Sequence, residues 1–161
     1  ENGADGISFG FLNPDATINI THTKKMVELI HRYRKKAVFH RAFDCVSDPY
    51  VAIQQLIDCG VDRILTSGLQ PTALQGCELL NNLQFKFGER VEILAGSGIH
   101  VDNIETLRER TGIHQFHGSC KIWKKDPTTT LGNISYAYHE KDDYDCVSTE
   151  IVRQIVQLLK R

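Results

Sequence analysis

The sequence predicts an α/β fold in which short parallel strands alternate with helices, in the manner of a TIM (β/α)8 barrel. Short apolar runs recur along the chain and begin 24 to 30 residues apart. Segments with helical periodicity separate them, as parallel strands require. A doubly wound sheet favours a glycine-rich phosphate turn after its first strand, and none follows here. Polar residues instead follow several runs, as in a barrel. The predicted strands are Ile7–Leu12, Ala37–Phe43, Arg63–Ser67, Val91–Ala95 and Gln115–Gly118.

Each segment between the predicted strands places apolar side chains on one helical face. The predicted faces are Met26, Ile30 and Tyr33; Ile53, Leu56 and Ile57; Leu74, Cys77 and Leu80; and Ile104 with Leu107. Helix starts are predicted at Pro49 and Pro71, where proline fits the first turn, and at Asp102 as a cap. Gly60 and Gly112 are expected to end their helices.

The strand count is too low for a closed barrel, which needs eight strands in ~250 residues. The 161 residues supply about the last five βα units. We therefore expect residues 1–161 to be the C-terminal portion of a single TIM-barrel domain, with the N-terminal strands absent. Lys121 to Val147 is predicted to be a long loop, either mobile or functional. A last helix should begin near Ser148 and bury Ile151, Ile155 and Leu158 or Leu159.

Composition excludes several classes of protein. The net charge of −1 and pI near 6.7 provide no basic field for nucleic acid or acidic lipid. No stretch approaches the ~20 apolar residues of a membrane span. The five cysteines are irregularly spaced, without a C-x-x-C motif, which favours thiols in a reducing compartment. With no signal peptide visible, we expect a cytoplasmic protein.

The second predicted strand carries the candidate catalytic residues His40, Arg41 and Asp44. Period-two alternation would place His40 and Asp44 on the face that points into the barrel, and Arg41 on the face of Phe39 and Phe43. The three residues could supply a proton donor, an anion clamp and a carboxylate. An Arg41–Asp44 pair that ties down the loop, with His40 in the core, explains the same pattern equally well.

The ends of the next three strands carry the candidate ligand-binding residues. Glycines there let backbone amides approach an anion, and barrels often bind phosphate at this edge. The same glycines could simply shape tight turns. The candidates are Thr66, Ser67, Gly68, Gly96, Ser97, Gly98, His117 and Ser119. His117 and Cys120 have the chemistry for Cu(I), but residues three apart on a strand face opposite sides. The metal ligands stay unknown.

These segments resemble the CutC family of copper homeostasis proteins. The resemblance is carried by Phe39–Asp44, Asp48-Pro49, Leu65–Gly68, Ala95–Ile99 and Phe116-His117. It implies a cytoplasmic TIM barrel, usually oligomeric, that is associated with copper tolerance and copper binding. Ser97 stands where members usually have glycine, and Gly118 where a serine or other small residue is common. The family's first three strands, with their cysteines, are not in this chain.

Two functions remain in view, with enzymatic activity left open. The resemblance favours a copper-binding protein of copper homeostasis, a homo-oligomer with copper as its ligand. The residues themselves favour a TIM-barrel enzyme that acts on a small anionic or phosphorylated substrate. A scaffold whose rim residues only stabilise loops is a third interpretation. If a ligand site exists, His40, Arg41, Asp44, Ser67, Ser97 and His117 should converge at the carboxyl ends of the strands.

Overall fold

The computed structural model describes residues 3–137, 139–140 and 142–160 and contains two compact units, residues 1–118 and 119–161. The first unit holds a five-stranded sheet. Its strands are β1 (Gly6–Phe9), β2 (Lys36–Phe39), β3 (Arg63–Thr66), β4 (Glu92–Gly96) and β5 (Gln115–His117). All neighbouring strands are parallel, and their order in the sheet is their order in the sequence. The predicted α/β fold with a parallel sheet is confirmed.

The helices of this unit cover one face of the sheet. In a sheet with sequential strand order, successive right-handed crossovers place every helix on the same side. Burial agrees with this arrangement, because alternate strand residues are enclosed while their neighbours are half-buried or exposed. The enclosed residues are Phe9, Ala37, Phe39, Ile64, Thr66, Ile93 and Ala95. The described sheet is open, since β1 pairs only with β2 and β5 only with β4.

Four helices follow the first four strands: α1 (Ile20–Arg32), α2 (Pro49–Asp58), α3 (Cys77–Phe87) and α4 (Ile104–Thr111). The predicted start of α2 is confirmed, because Asp48 accepts hydrogen bonds from the amides of Tyr50 (2.8 Å) and Val51 (3.1 Å). Gly112 ends α4 in the left-handed conformation, at φ 69°.

Two predicted helix starts are wrong. Pro71 does not begin α3, because the loop before this helix is fastened to the turn after β4. The Ser97 hydroxyl donates to the Pro71 carbonyl (2.7 Å), and the Ala73 amide donates to the Ser97 carbonyl (3.0 Å). Asp102 does not cap α4. Asn103 holds that position, and its side chain bonds the His100 amide and the Gly98 carbonyl.

The predicted face of α1 is correct only at Ile30. The enclosed residues are Thr23, Val27 and Ile30, whereas Tyr33 is 68% exposed. The remaining apolar side chains of α1 lie beside the edge strand β1 instead. They form an apolar groove of about 550 Å³ that we call the β1 groove, lined by Gly3, Ala4, Ile7, Met26, Leu29, Ile30, Tyr33 and Lys35.

The second unit is an antiparallel ribbon followed by a helix, so the predicted long loop is wrong. Strand β6 (Lys121–Lys125) pairs antiparallel with β9 (Asp143–Val147), and β7 (Thr130–Leu131) pairs with β8 (Ile134–Ser135). A ribbon with lysine-rich, largely exposed strands lacks the apolar alternation that marks a half-buried strand. The last helix is confirmed as α5 (Thr149–Leu159), capped by Ser148. Of its predicted buried face only Ile155 is buried, since Ile151, Leu158 and Leu159 are half-buried. No described helix is long and apolar enough to cross a membrane.

Candidate functional site

Strand β2 ends earlier than predicted, which changes the placement of its polar residues. The chain leaves the sheet after Phe39, and a 3-10 helix spans Arg41–Cys45. His40 caps that helix, with its Nδ1 accepting from the Ala42 amide at 3.1 Å. The predicted strand alternation through Asp44 is therefore wrong. The 3-10 turn instead brings Arg41 and Asp44, three residues apart, onto the same side.

Asp44 is the centre of a polar cluster at the carboxyl ends of β2 and β3. Its side chain is only 8% exposed. One carboxylate oxygen accepts from the Thr66 hydroxyl (2.6 Å) and the amides of Ser67 (2.9 Å) and Leu69 (3.3 Å). The other accepts from Arg41 Nε at 2.7 Å. A buried carboxylate is stable only with such partners, so this cluster fastens the 3-10 turn to β3.

Arg41 has one side in this cluster and one side outside it. Its Nε binds Asp44, and Nη2 donates to the Ser67 hydroxyl at 2.9 Å. That hydroxyl has a single proton, which it gives either to Asp44 or to the Gln70 carbonyl. The Arg41 side chain is 43% exposed. The Arg41–Asp44 pair, one of the two interpretations of the sequence, is thus present, and the Arg41 side chain is still partly exposed.

Thr66 and Gly68 complete the cluster through the backbone. The Gly68 amide donates to the Thr66 hydroxyl at 2.9 Å, and Thr66 is buried. Gly68 adopts φ 70°, and a Cβ on it would lie 2.5 Å from the Gly76 carbonyl oxygen. Sequence analysis missed Gly76. The available signal was that the loop before α3 contains a second glycine, Gly76, besides Gly68. Two glycines in one loop allow the backbone to approach itself closely, as it does here.

The turn after β4 contains Gly96, Ser97 and Gly98. A Cβ on Gly96 would lie 2.5 Å from the Leu65 side chain, so this strand end packs tightly. Ser97 and Gly98 both have positive φ, 77° and 66°. His117 pairs with Gly96 at the end of β5 and is exposed.

The structure brings together only some of the predicted site residues. Arg41, Asp44 and Ser67 share direct hydrogen bonds, and Ser97 reaches the loop that follows Ser67. His40 lies outside this group, because its ring packs over Gly10, just after β1. Gly10 was also missed in the sequence, since its only signal is that the His40 ring approaches its backbone closely. Ser119 is an exposed residue of the second unit.

Two carboxyl groups with lowered pKa values, Asp62 and Glu92, lie at the opposite, amino ends of the parallel strands. Burial opposes ionisation of Asp62, but hydrogen bonds from the Ala37 amide, His31 and Lys36 outweigh it and hold the pKa below its ordinary value. Glu92 is similar: Arg63 and Gln115 outweigh burial and lower the pKa. Neither residue was a predicted site residue, and both fasten strands.

The described residues do not gather a metal site. Nowhere among them do three His, Cys, Asp or Glu side chains come close enough to hold one ion. All five cysteines are thiols, and burial raises the pKa of Cys59. A three-donor copper site is therefore not assembled within this part of the chain.

The fold and the cluster define a class of protein: an α/β protein whose polar groups collect at the carboxyl ends of parallel strands. The chain belongs to the CutC family, because the model of that family matches residues 1–122.

Curated relatives agree with this assignment. A CutC family protein of Treponema denticola is 33% identical over 99% of this chain, and one of Vibrio vulnificus is 35% identical over 98%. One of Bacteroides fragilis is 41% identical over 87% of the chain. The chain spans 65%, 64% and 58% of the lengths of these relatives.

A solved structure is similar as well. It is that of the CutC protein of Streptococcus agalactiae, which its description assigns provisionally to copper homeostasis. It superposes with a TM-score of 0.66 at 27% identity, covering 72% of this chain and 56% of that protein.

Proposed function

We propose that residues 1–161 are the C-terminal part of a single (β/α)8 barrel domain in a protein of cytoplasmic copper homeostasis. Sequential parallel strands with helices on one face are the arrangement of a barrel wall. Two open sheet edges, together with coverage of 65% or less of the relatives, support further βα units in the full-length protein.

Copper binding is the part of this proposal that the family relation carries. The supporting observation is membership of the CutC family together with the copper homeostasis assignment of the Streptococcus agalactiae relative. Because the described residues do not assemble three donors, donors from the remaining strands or from a second copy in a homo-oligomer would complete the site.

Titration of the full-length protein with Cu(I), against a competing chelator, tests copper binding. We expect stoichiometric binding. His117→Ala reports whether the exposed imidazole at the end of β5 contributes to copper binding. His114→Ala is the matched control, because His114 is also exposed and lies directly before the start of β5. A folded wild-type protein that fails to compete for Cu(I) would contradict the proposal.

A second candidate is binding of a small anionic or phosphorylated substrate at the carboxyl ends of the strands. The observation that favours it is Arg41, whose Nε and Nη2 are fixed by Asp44 and Ser67 while the side chain stays 43% exposed. A guanidinium whose orientation is fixed in this way is preorganised to bind an anion. The Asp44 carboxylate is engaged by four donor groups and the His40 ring packs over Gly10, so in this candidate Arg41 is the group of the cluster that contacts the anion.

A thermal-shift screen of phosphorylated and carboxylated metabolites, run beside the copper titration, separates the two candidates. A metabolite that stabilises the wild-type protein but not Arg41→Ala supports the anion site. Stabilisation by copper alone supports copper binding, and contradicts the second candidate.

A further inference from the structure

His40 joins the end of β1 to the 3-10 helix through both its backbone and its side chain. Its amide donates to the Phe9 carbonyl at 2.8 Å, and its carbonyl accepts from the Phe43 amide at 3.1 Å. Its Nδ1 accepts from the Ala42 amide at 3.1 Å. Because a backbone N–H can only donate, Nδ1 must present a lone pair. The cap of the 3-10 helix therefore requires a neutral His40 that carries its proton on Nε2.

The His40 ring lies against uncharged groups. It packs over Gly10, where an added Cβ would be 2.5 Å from its Cε1, and its centroid is 6.0 Å from that of the Phe39 ring. The charged side chains of the same turn, Arg41 and Asp44, bond each other and β3 instead. Among the described residues, no ion pair or hydrogen bond joins the ring to a charged group. A proton on Nδ1 would thus break the cap without gaining an ion pair in return.

The cap acts next to the side chain that the anion candidate needs. Arg41 lies between His40 and Ala42, so the capped amide directly follows the arginine. A 3-10 helix has hydrogen bonds of poor geometry, and a helix start without its cap loses stability. Asp44 holds the other end of this helix to β3. With one end fixed, the cap decides whether the backbone at Arg41 keeps its guanidinium in the observed direction.

We propose that neutral His40 is the positioning residue of Arg41, and that protonation of His40 breaks the cap and weakens the binding of an anion by Arg41. The inference rests on the second candidate function and adds its regulation: the site binds an oxyanion best at a pH where His40 is neutral. His40 does not contact the anion in this proposal.

The experiment follows the ¹⁵N-labelled full-length protein by NMR between pH 8 and 5, the range in which histidine side chains ordinarily gain a proton. We expect the signals of the Ala42 amide and of Arg41 Nε to move in step with the ring signals of His40. Sulfate is the anion probe, because its charge is constant over this range. Its affinity should be about threefold weaker at pH 5 than at pH 8, as suits the loss of one cap.

Three variants separate positioning from other roles of His40. In His40→Asn the Oδ1 atom replaces Nδ1 as acceptor and does not gain a proton, so sulfate affinity should stay high at every pH. His40→Ala should bind about threefold more weakly already at pH 8, with no further loss on acidification. Gly10→Ala keeps the histidine but displaces its ring, so it should behave like His40→Ala. The φ of Gly10 is not positive, so alanine does not strain the backbone there.

The outcomes distinguish the inference from the candidate function. If the Ala42 and Arg41 signals stay fixed while His40 gains its proton, the inference is overturned, whether or not sulfate binds. An affinity that rises on acidification in the wild type but not in His40→Asn would also overturn it, because the imidazolium would then attract the anion directly. If the signals move together but sulfate binds at no pH, the second candidate function fails and the coupling of His40 to Arg41 is confirmed. Should His40→Ala not fold, the wild type and His40→Asn still decide.

Discussion

At the scale of single residues, Asp44 links local backbone shape to the edge of the sheet. The block from Phe39 to Asp44 was recognisable in the sequence, and the chemistry of Arg41 and Asp44 was predicted as one of two interpretations. Their placement was not predicted, because a strand and a 3-10 turn fit the same residues. The deciding contacts come from Thr66 and Ser67, more than twenty residues further along the chain.

Replacing Asp44 tests how much this cluster stabilises the fold. In Asp44→Asn the side chain loses its charge and keeps one acceptor oxygen. If that oxygen keeps the donors from Thr66, Ser67 and Leu69, Arg41 Nε faces the new NH2 group and loses its acceptor. We expect a loss of about 2–3 kcal/mol in the free energy of unfolding, discounted for the exposure of Arg41. Urea denaturation measures it. Asp48→Asn is the matched control, since asparagine caps a helix as well as aspartate. Equal losses in both variants would contradict a special role for Asp44.

At the scale of elements, periodicity located the core strands and helices but not the loops between them. All five parallel strands were predicted in the right order and place along the chain, because their apolar side chains and spacing are local properties. Their ends were not all predicted: β1 ends at Phe9 rather than Leu12, and β2 at Phe39 rather than Phe43. The start of α3 was missed, since a proline permits a helix start but does not compel one. Hydrogen bonds from the turn after β4 hold Pro71 and Ala73 in the loop. The ribbon was missed because its strands are charged and exposed.

Asp62 connects two of these elements and makes the joint sensitive to pH. Its carboxylate accepts from the Ala37 amide (2.7 Å) and Lys36 (3.3 Å), which fastens β2 to the start of β3. Its pKa is lowered in the folded protein. A depressed carboxyl pKa contributes stability that is fully present above the unfolded value of about 3.9 and is lost as the pH falls through the folded value.

We therefore expect Asp62→Asn to be less stable than the wild type by about 1 kcal/mol at pH 7, a modest figure because the site is partly exposed. The difference should shrink as the pH falls from about 4 through the lowered pKa of folded Asp62, because protons first bind the carboxylate in the unfolded state and then neutralise it in the folded state. Urea midpoints of both proteins between pH 3 and 7 check this. A difference that stays constant down to pH 3 would show that the charge of Asp62 is not what stabilises the joint.

At the scale of the whole molecule, the β1 groove is the surface that a preceding βα unit would cover in the proposed barrel. The groove was not predicted as such, although five strands where a barrel needs eight implied an open side. Leu29 and Tyr33 are exposed there in the 161-residue chain. If a preceding βα unit packs against them in the full-length protein, the same substitution should act in opposite directions in the two proteins.

Leu29→Glu should raise the solubility of the 161-residue chain, because it breaks an exposed apolar patch. In the full-length protein it should lower the melting temperature by several degrees, since it places a charge in a buried contact. Phe85→Glu is the matched control, as Phe85 is 87% exposed on α3 and away from the groove, and it should not lower the melting temperature of the full-length protein. A full-length protein that tolerates Leu29→Glu as well as Phe85→Glu would refute the packing of a βα unit in the groove.

The sequential order of the strands also has a kinetic consequence. Every pairing among β1 to β5 joins segments that are close neighbours along the chain, so each loop closes at low entropic cost and the wall can extend one unit at a time. In a closed barrel one pairing is different, because the last strand must find the first across the whole length of the protein. Folding rates fall as such non-local contacts increase. If the full-length protein forms the proposed barrel with β5 as its last strand, the slow step of its folding is expected at the outer edge of β5, while the sheet β1 to β5 forms early.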